Sequence, residues 1–313
     1  MLYVTIIALL GLFIASASAS ASASEPFELR DVRLAESTLQ AKAAASNQDY
    51  LLGTLDVDRL LWAFRKNAGL PVRGLPYSGS WEDPGCELRG HFVGHYLSAL
   101  SYLVMGTAGD AAAGERLELM VSELAKVQAR LGGGYLSAFP AEHFDRVEQL
   151  RGVWAPYYVI HKIMLGLLDA HVMGGSAQAV TMVTAMADYF HARTSKVIAE
   201  KGLDHWERSL ETEFGGMNEV LYRLYRLTLQ EQHRELAAWF DKPRWWKALV
   251  AGVDPLSYHH ANTHLAQVQG MGQGEDRAKL GGQQRPPFST NLVLNTICVT
   301  TKQMRWAIHT WLR

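Results

Sequence analysis

GHFVGHYLSALS, running from Gly90 to Ser101, decides how the rest of the chain is read. Written as a helix, it sets His91, His95 and Ser98 on one face, because residues three and four apart are neighbours on a helix surface. Leu97, Leu100 and Tyr102 fall elsewhere and are expected in a core. Gly90 and Gly94 allow another element to approach closely. Buried imidazoles and hydroxyls cost free energy unless they are hydrogen-bonded. The helix is therefore expected to line a polar pocket.

Helical signals continue on both sides. Ser37 to Leu52 reads as one helix, with Ala41, Ala44, Leu51 and Leu52 at apolar positions. Asp56 can cap a second through Leu60, Leu61 and Phe64, which stops at Gly69 with Pro71 beyond. A Gly- and Pro-rich loop from Val72 to Glu87, carrying Trp81 and Glu82, leads into the His91 helix, which ends at Thr107–Gly109. Asp110 begins another, with Leu117, Met120, Val121, Leu124 and Val127 at helical spacing, closed by Gly132–Gly134. GYLSAFP is a short loop. Trp154–Met173, Ser176–Arg193, Met217–Thr228 and Glu231–Phe240 read as further helices, and Val253–Thr263 as a loop. No alternating segment is long enough for a central strand. A repeated helix, turn, helix pattern without a fixed period argues an all-α toroid or bundle, with polar loops gathered at one end; a solenoid should show a repeat period.

The 313 residues carry 30 Lys and Arg against 31 Asp and Glu, a formal net charge of −1. That balance offers no basic stripe for nucleic acid. A hydrophobic fraction of 48% suffices for a large core. Nine Trp and twelve Tyr suit sugar or apolar-ligand surfaces, or ordinary helix packing. Two cysteines, Cys86 and Cys298, exclude a disulfide-dense scaffold, and no Cys-x-x-Cys marks a zinc ribbon. Residues 1–24 read as a cleaved signal peptide: an apolar run from Leu2 to Ile14, then an Ala/Ser tract with small-x-small cleavage positions. A secreted product is expected, with no membrane span after cleavage.

Four stretches could carry chemistry. His91 and His95 have the i, i+4 spacing of a zinc-binding pair, but Phe92 stands where metalloproteases place their general base. Hydrogen bonding to a hydroxyl-rich ligand, or to backbone carbonyls alone, are the competing roles. His161 and Lys162 lie in the apolar helix YYVIHKIMLGLLD, so one of them must face inward or into a cleft. In EFGGMNEVLYRLY, Glu219 occupies the first turn of a helix, either as a simple cap or as a carboxylate gripping a sugar hydroxyl. HHANTH, His259–His264, sits on a polar loop, where binding residues concentrate. His260 and Asn262 are its best ligand-contacting candidates.

In order, LRDVRL, YLLGTLDVDRLLWAFRKNAGL, GHFVGHYLSALSYL, GYLSAFP, VWAPYYVIHKIMLGLLD, EFGGMNEVLYRLY and HHANTH resemble the plant-type glycoside hydrolase family 127 β-L-arabinofuranosidases, formerly a domain of unknown function, and the related family 146. The resemblance covers roughly Phe27 to Gly270. It implies an (α/α)6 toroid and exo-acting, retaining hydrolysis by a cysteine nucleophile, itself part of a zinc site of three cysteines and a glutamate, with a further glutamate as acid/base. It places His161, His260 and Glu219 in sugar-facing motifs, with His91 and His95 beside them, and implies an arabinofuranoside-containing glycan as partner.

Residues 25–270 thus read as the N-terminal part of such a catalytic domain, an incomplete toroid, and residues 271–313 as a divergent tail. Cys298 has no cysteine neighbour and does not match the nucleophile. No catalytic residue is assigned, no cofactor is expected in this chain although the full-length family carries zinc, and the polypeptide is expected to be inactive. A carbohydrate-binding fragment without catalysis is the alternative.

Overall fold

The structure, a computed structural model, describes residues 27, 29–107, 110–250, 253, 263, 265–267, 269 and 270, without the side chains of 246, 249 and 250. The leader at residues 1–24, the tail at 271–313, and both His260 and Asn262 lie outside the described residues. Among those described, the regular structure is helical throughout, as the sequence pattern predicts. No described helix is long and apolar enough to cross a membrane.

We number the helices α1 (Leu39–Asp49), α2 (Val57–Asn67), α3 (His91–Gly106), α4 (Ala111–Leu131), α5 (Glu142–Glu148), α6 (Pro156–Val172), α7 (Ala177–Lys201), α8 (Leu203–Ser209), α9 (Met217–Thr228), α10 (Glu231–Trp239) and α11 (Pro243–Val250). Local chemistry sets many of the boundaries. The Asp56 carboxylate accepts from the N–H groups of Asp58 and Arg59 and starts α2, and Asp110 accepts from Ala113 to start α4. Gly132, Gly133 and Gly134 all have positive φ after α4, where a side chain would be strained.

Three helical hairpins, α3/α4, α6/α7 and α9/α10, stand side by side and form two layers. In the inner layer His91 meets Tyr158, Gly94 meets Lys162, and Ser98 meets Asp169, so contacts advance together along α3 and α6. His161 with Gly216, then Asp169 with Arg223, show the same for α6 and α9. All three inner helices therefore run in one direction. The outer layer, α4, α7 and α10, is joined by α2, whose Arg65 reaches Glu123 of α4. Twelve of the seventeen residues of α6 are buried, as befits a helix with neighbours on nearly every side. α4 buries one stripe, Ala113, Leu117, Met120, Val121, Leu124 and Val127, the pattern of a helix with a solvent face. The result is an all-α, toroid-like domain.

The inner pair α3/α6 packs backbone to backbone. A Cβ on Gly94 would stand 2.0 Å from the Lys162 carbonyl oxygen, and one on Gly166 would stand 2.5 Å from the Gly94 oxygen. Between the layers Tyr135, Phe144, Tyr157, Phe190, Trp206 and Phe240 meet mostly edge to face, the arrangement their ring quadrupoles favour.

Some expectations need correction. Tyr102 points out, 53% exposed, because the inward positions of α3 beyond Ser98 are taken by Leu100 and Ser101. α1 buries none of its residues, Ala41 and Ala44 included. α7 runs two turns beyond Arg193 to Lys201. Helices α5, α8 and α11 have no counterpart in the sequence reading, being seven or eight residues long and too short to show a period.

Candidate functional site

The first turns of α3, α6 and α9 meet at one end of the inner layer and bring together His91, His95, His161 and Glu219. The α3 wall is fixed by Glu82 in the preceding loop. Its carboxylate accepts from the N–H of Gly90 at 2.7 Å and of Phe92 at 3.0 Å, satisfying two amides that the helix itself leaves unpaired. The same carboxylate lies 2.8 Å from Nδ1 of His91, which also faces the Leu88 carbonyl at 3.0 Å. Both neighbours are acceptors, so Nδ1 carries a proton. The His91 ring is buried, 5.9 Å from His95 and 6.2 Å from Tyr158, centroid to centroid.

His161, only 4% exposed, has the opposite polarity. The Gly216 N–H donates to its Nδ1 at 3.1 Å, so the proton sits on Nε2 and that nitrogen is a donor. The two glycines of EFGGMN explain the contact: a Cβ on Gly215 would stand 2.7 Å from Nδ1, and one on Gly216 3.0 Å from Nε2. Burial, then the positive charges of Lys162, His95 and Arg223, hold the imidazole well below its ordinary value of 6.5, and it is neutral. His95 is exposed at its edge yet hemmed in by protein. That desolvation, followed by the charges of Lys162 and His91, lowers it to about 4. The Lys162 ammonium lies 4.9 Å above the Tyr158 ring, and burial lowers its pKa against the pull of Glu213 and Glu219.

Glu219 is buried, and burial raises its carboxyl above the usual range; the Arg223 charge opposes this and the Asp169 charge adds to it. Arg223 approaches Glu219 Oε1 at 3.5 Å through Nη1 and bonds Asp169 Oδ1 at 2.9 Å through Nη2. The other oxygen of Asp169 accepts from the Ser98 hydroxyl at 2.7 Å. A chain of hydrogen bonds thus crosses α3, α6 and α9 below the imidazoles. The whole arrangement presents two imidazoles, a carboxyl whose pKa is raised by burial, and the Lys162 amine, a set suited to holding hydroxyl groups.

Sequence reasoning singled out His91, His95, His161 and Glu219, and the structure brings these four to one end of the inner layer. It did not assign Glu82, Asp169 or Arg223. Glu82 lies in an aperiodic loop, and only the structure reveals that it folds back onto Gly90. Asp169 had a readable signal, a lone carboxylate in the apolar run IMLGLLD. Asn218, fully buried, turns away from the recess and donates to Asp241 at 3.2 Å and to the Gln267 carbonyl at 3.4 Å.

The zinc set that the resemblance implies does not fit these residues. It needs three cysteines, and the sequence has two. Cys86 is a free thiol, and among the described residues no group of three His, Cys, Asp or Glu side chains could hold a metal ion.

Paired helices in two layers, with His91, His95, His161 and Glu219 gathered at the inner-helix ends, define a toroid-like α/α domain. The family model described as "Beta-L-arabinofuranosidase, GH127 catalytic domain" matches residues 31–284, well over half of the chain. The chain belongs to that family, and with it to the glycoside hydrolases. Comparison with curated proteins finds no match.

Proposed function

We propose that this recess receives the terminal sugar of a β-L-arabinofuranoside on an extracellular glycan, and that the polypeptide of this sequence holds the sugar without cleaving it. His91, His95, His161 and Glu219 contact hydroxyl groups, and for His260 and Asn262 the same role rests on the sequence alone. The observation that carries the reading is the convergence of two buried imidazoles whose Nδ1 atoms play opposite roles, a donor on His91 and an acceptor on His161, beside the carboxyl of Glu219. A hydroxyl group is donor and acceptor at once, and a polyol is best met by both kinds of partner.

Retaining hydrolysis needs a nucleophile and an acid/base placed on either side of the scissile bond. Glu219 can manage a proton, but a metal-activated thiolate requires its ligands around it, and two cysteines cannot supply the three-cysteine set. Calorimetry with methyl β-L-arabinofuranoside, run beside an assay for L-arabinose release from a chromogenic β-L-arabinofuranoside, tests both halves. Binding that disappears in H161A, with no release, is the expected result. Release of L-arabinose overturns the claim of inactivity, and lack of binding overturns the claim of recognition.

A further inference from the structure

We propose that Trp81 is the platform for a second sugar ring, so that the site takes an arabinofuranosyl disaccharide or longer glycan in preference to a single sugar. The inference rests on the reading under Proposed function and extends it outward from the recess.

Trp81 is 64% exposed, an unusual position for the largest apolar side chain. Its indole nevertheless has a definite place, 5.9 Å from the His91 ring and tilted 59° to it. The turn that bears it is braced on both sides. Asp83 accepts from the N–H of Gly85 at 2.8 Å and of Gly79 at 3.1 Å, and the Glu82 N–H donates to the Ser80 hydroxyl at 3.2 Å. The Glu82 side chain, next in sequence to Trp81, is tied to Gly90, Phe92 and His91. A solvent-facing indole on a turn braced by this many bonds is presented, not left loose.

Its surroundings say what it is presented to. Ser78, Ser80, Glu82 and Asp83 flank it in sequence, so the indole stands among polar residues and not in an extended apolar patch of the size that docks a protein. A single aromatic face beside hydrogen-bonding groups fits a ligand of the same mixed character: a sugar ring, with C–H groups on one face and hydroxyls at its rim. The terminal sugar fills the imidazole recess, and the next ring, emerging past His91, lies against the indole.

The test is calorimetry on the full chain with two probes, methyl β-L-arabinofuranoside and a β-linked arabinofuranosyl disaccharide. Wild type should bind the disaccharide about tenfold more tightly, which corresponds to about 1.4 kcal/mol. W81A should lose that advantage and bind the methyl glycoside as wild type does, while W81F should keep part of it. The inference is overturned if wild type binds the two probes equally, if W81A keeps the advantage, or if W81A weakens both probes alike, which would make Trp81 a support for His91. If wild type binds neither probe, the functional reading itself falls and this inference falls with it.

Discussion

Arg223 on α9 lies 2.9 Å from Asp169 on α6, and Asp169 in turn accepts from Ser98 on α3, so one buried carboxylate ties three helices together. Asp169 is 2% exposed on its side chain and Arg223 28%. Removing the carboxylate leaves a half-buried guanidinium with only the longer contact to Glu219. D169A should therefore lose about 3 kcal/mol, the lower end of the cost of orphaning a buried charge, because Arg223 keeps some access to water. Chemical denaturation measures it, and D169N, which keeps the Ser98 bond, should lose less.

The close approach of α3 and α6 makes a second prediction. In G94A the new methyl would meet the Lys162 carbonyl oxygen at 2.0 Å and the Ile163 nitrogen at 2.7 Å, both backbone atoms that cannot swing aside. The helices must separate, at about 3 kcal/mol, the upper end of ordinary overpacking. Gly114 on α4 is the control. A Cβ there meets nothing within 4 Å, so G114A should stabilise the protein by about 0.5–1 kcal/mol. Opposite shifts in denaturation midpoint are expected, and equal shifts would remove the steric explanation.

Glu82 serves as cap and as anchor at once. E82A deprives Gly90 and Phe92 of their acceptor, and the loss should be about 1–2 kcal/mol of stability. His91 keeps its bond to the Leu88 carbonyl but is freer to turn. Affinity for methyl β-L-arabinofuranoside should fall more in E82A than in E82Q, whose amide oxygen can still accept; calorimetry on the two variants separates them.

His161 sets a pH dependence with a definite sign. Its folded pKa lies well below 6.5, so below that pH the unfolded chain takes up a proton that the folded chain refuses. Its stabilising contribution is complete above about pH 6.5 and is lost as pH falls, by about 1.4 kcal/mol per pH unit until the folded pKa is reached. Glu219 works the other way, because its raised pKa makes the folded form hold its proton more tightly, a gain at acid pH that fades as pH rises. Comparing wild type with H161N at pH 7 and pH 5.5 isolates the histidine. Wild type should lose more stability between the two, and parallel losses would show that His161 titrates normally.

Much of the fold is legible from periodicity and punctuation. Asp56, Asp110 and Gly132–Gly134 mark boundaries that the structure repeats almost to the residue, because caps and positive-φ glycines are local effects. The grouping of His91, His95 and Ser98 is also local, a matter of helix geometry. Tyr102 defeated the same reasoning, since its exposure depends on which neighbours α3 acquires, and spacing along one helix does not contain that information. Glu82 and Arg223 were hidden for a related reason: their partners are eight residues away through an irregular loop and fifty-four residues away on another helix. The proton positions on His91 and His161 depend on a carbonyl, a carboxylate and a backbone amide that only the folded chain assembles.

The common direction of α3, α6 and α9 has one more effect. Peptide dipoles along a helix sum to about half a positive charge at its start. Three such starts gathered around one recess add where opposed helices would cancel. Their field works against an imidazolium and favours electron-rich atoms, among them ring and hydroxyl oxygens. By the same reasoning the recess should receive a sugar acid more readily than an amino sugar.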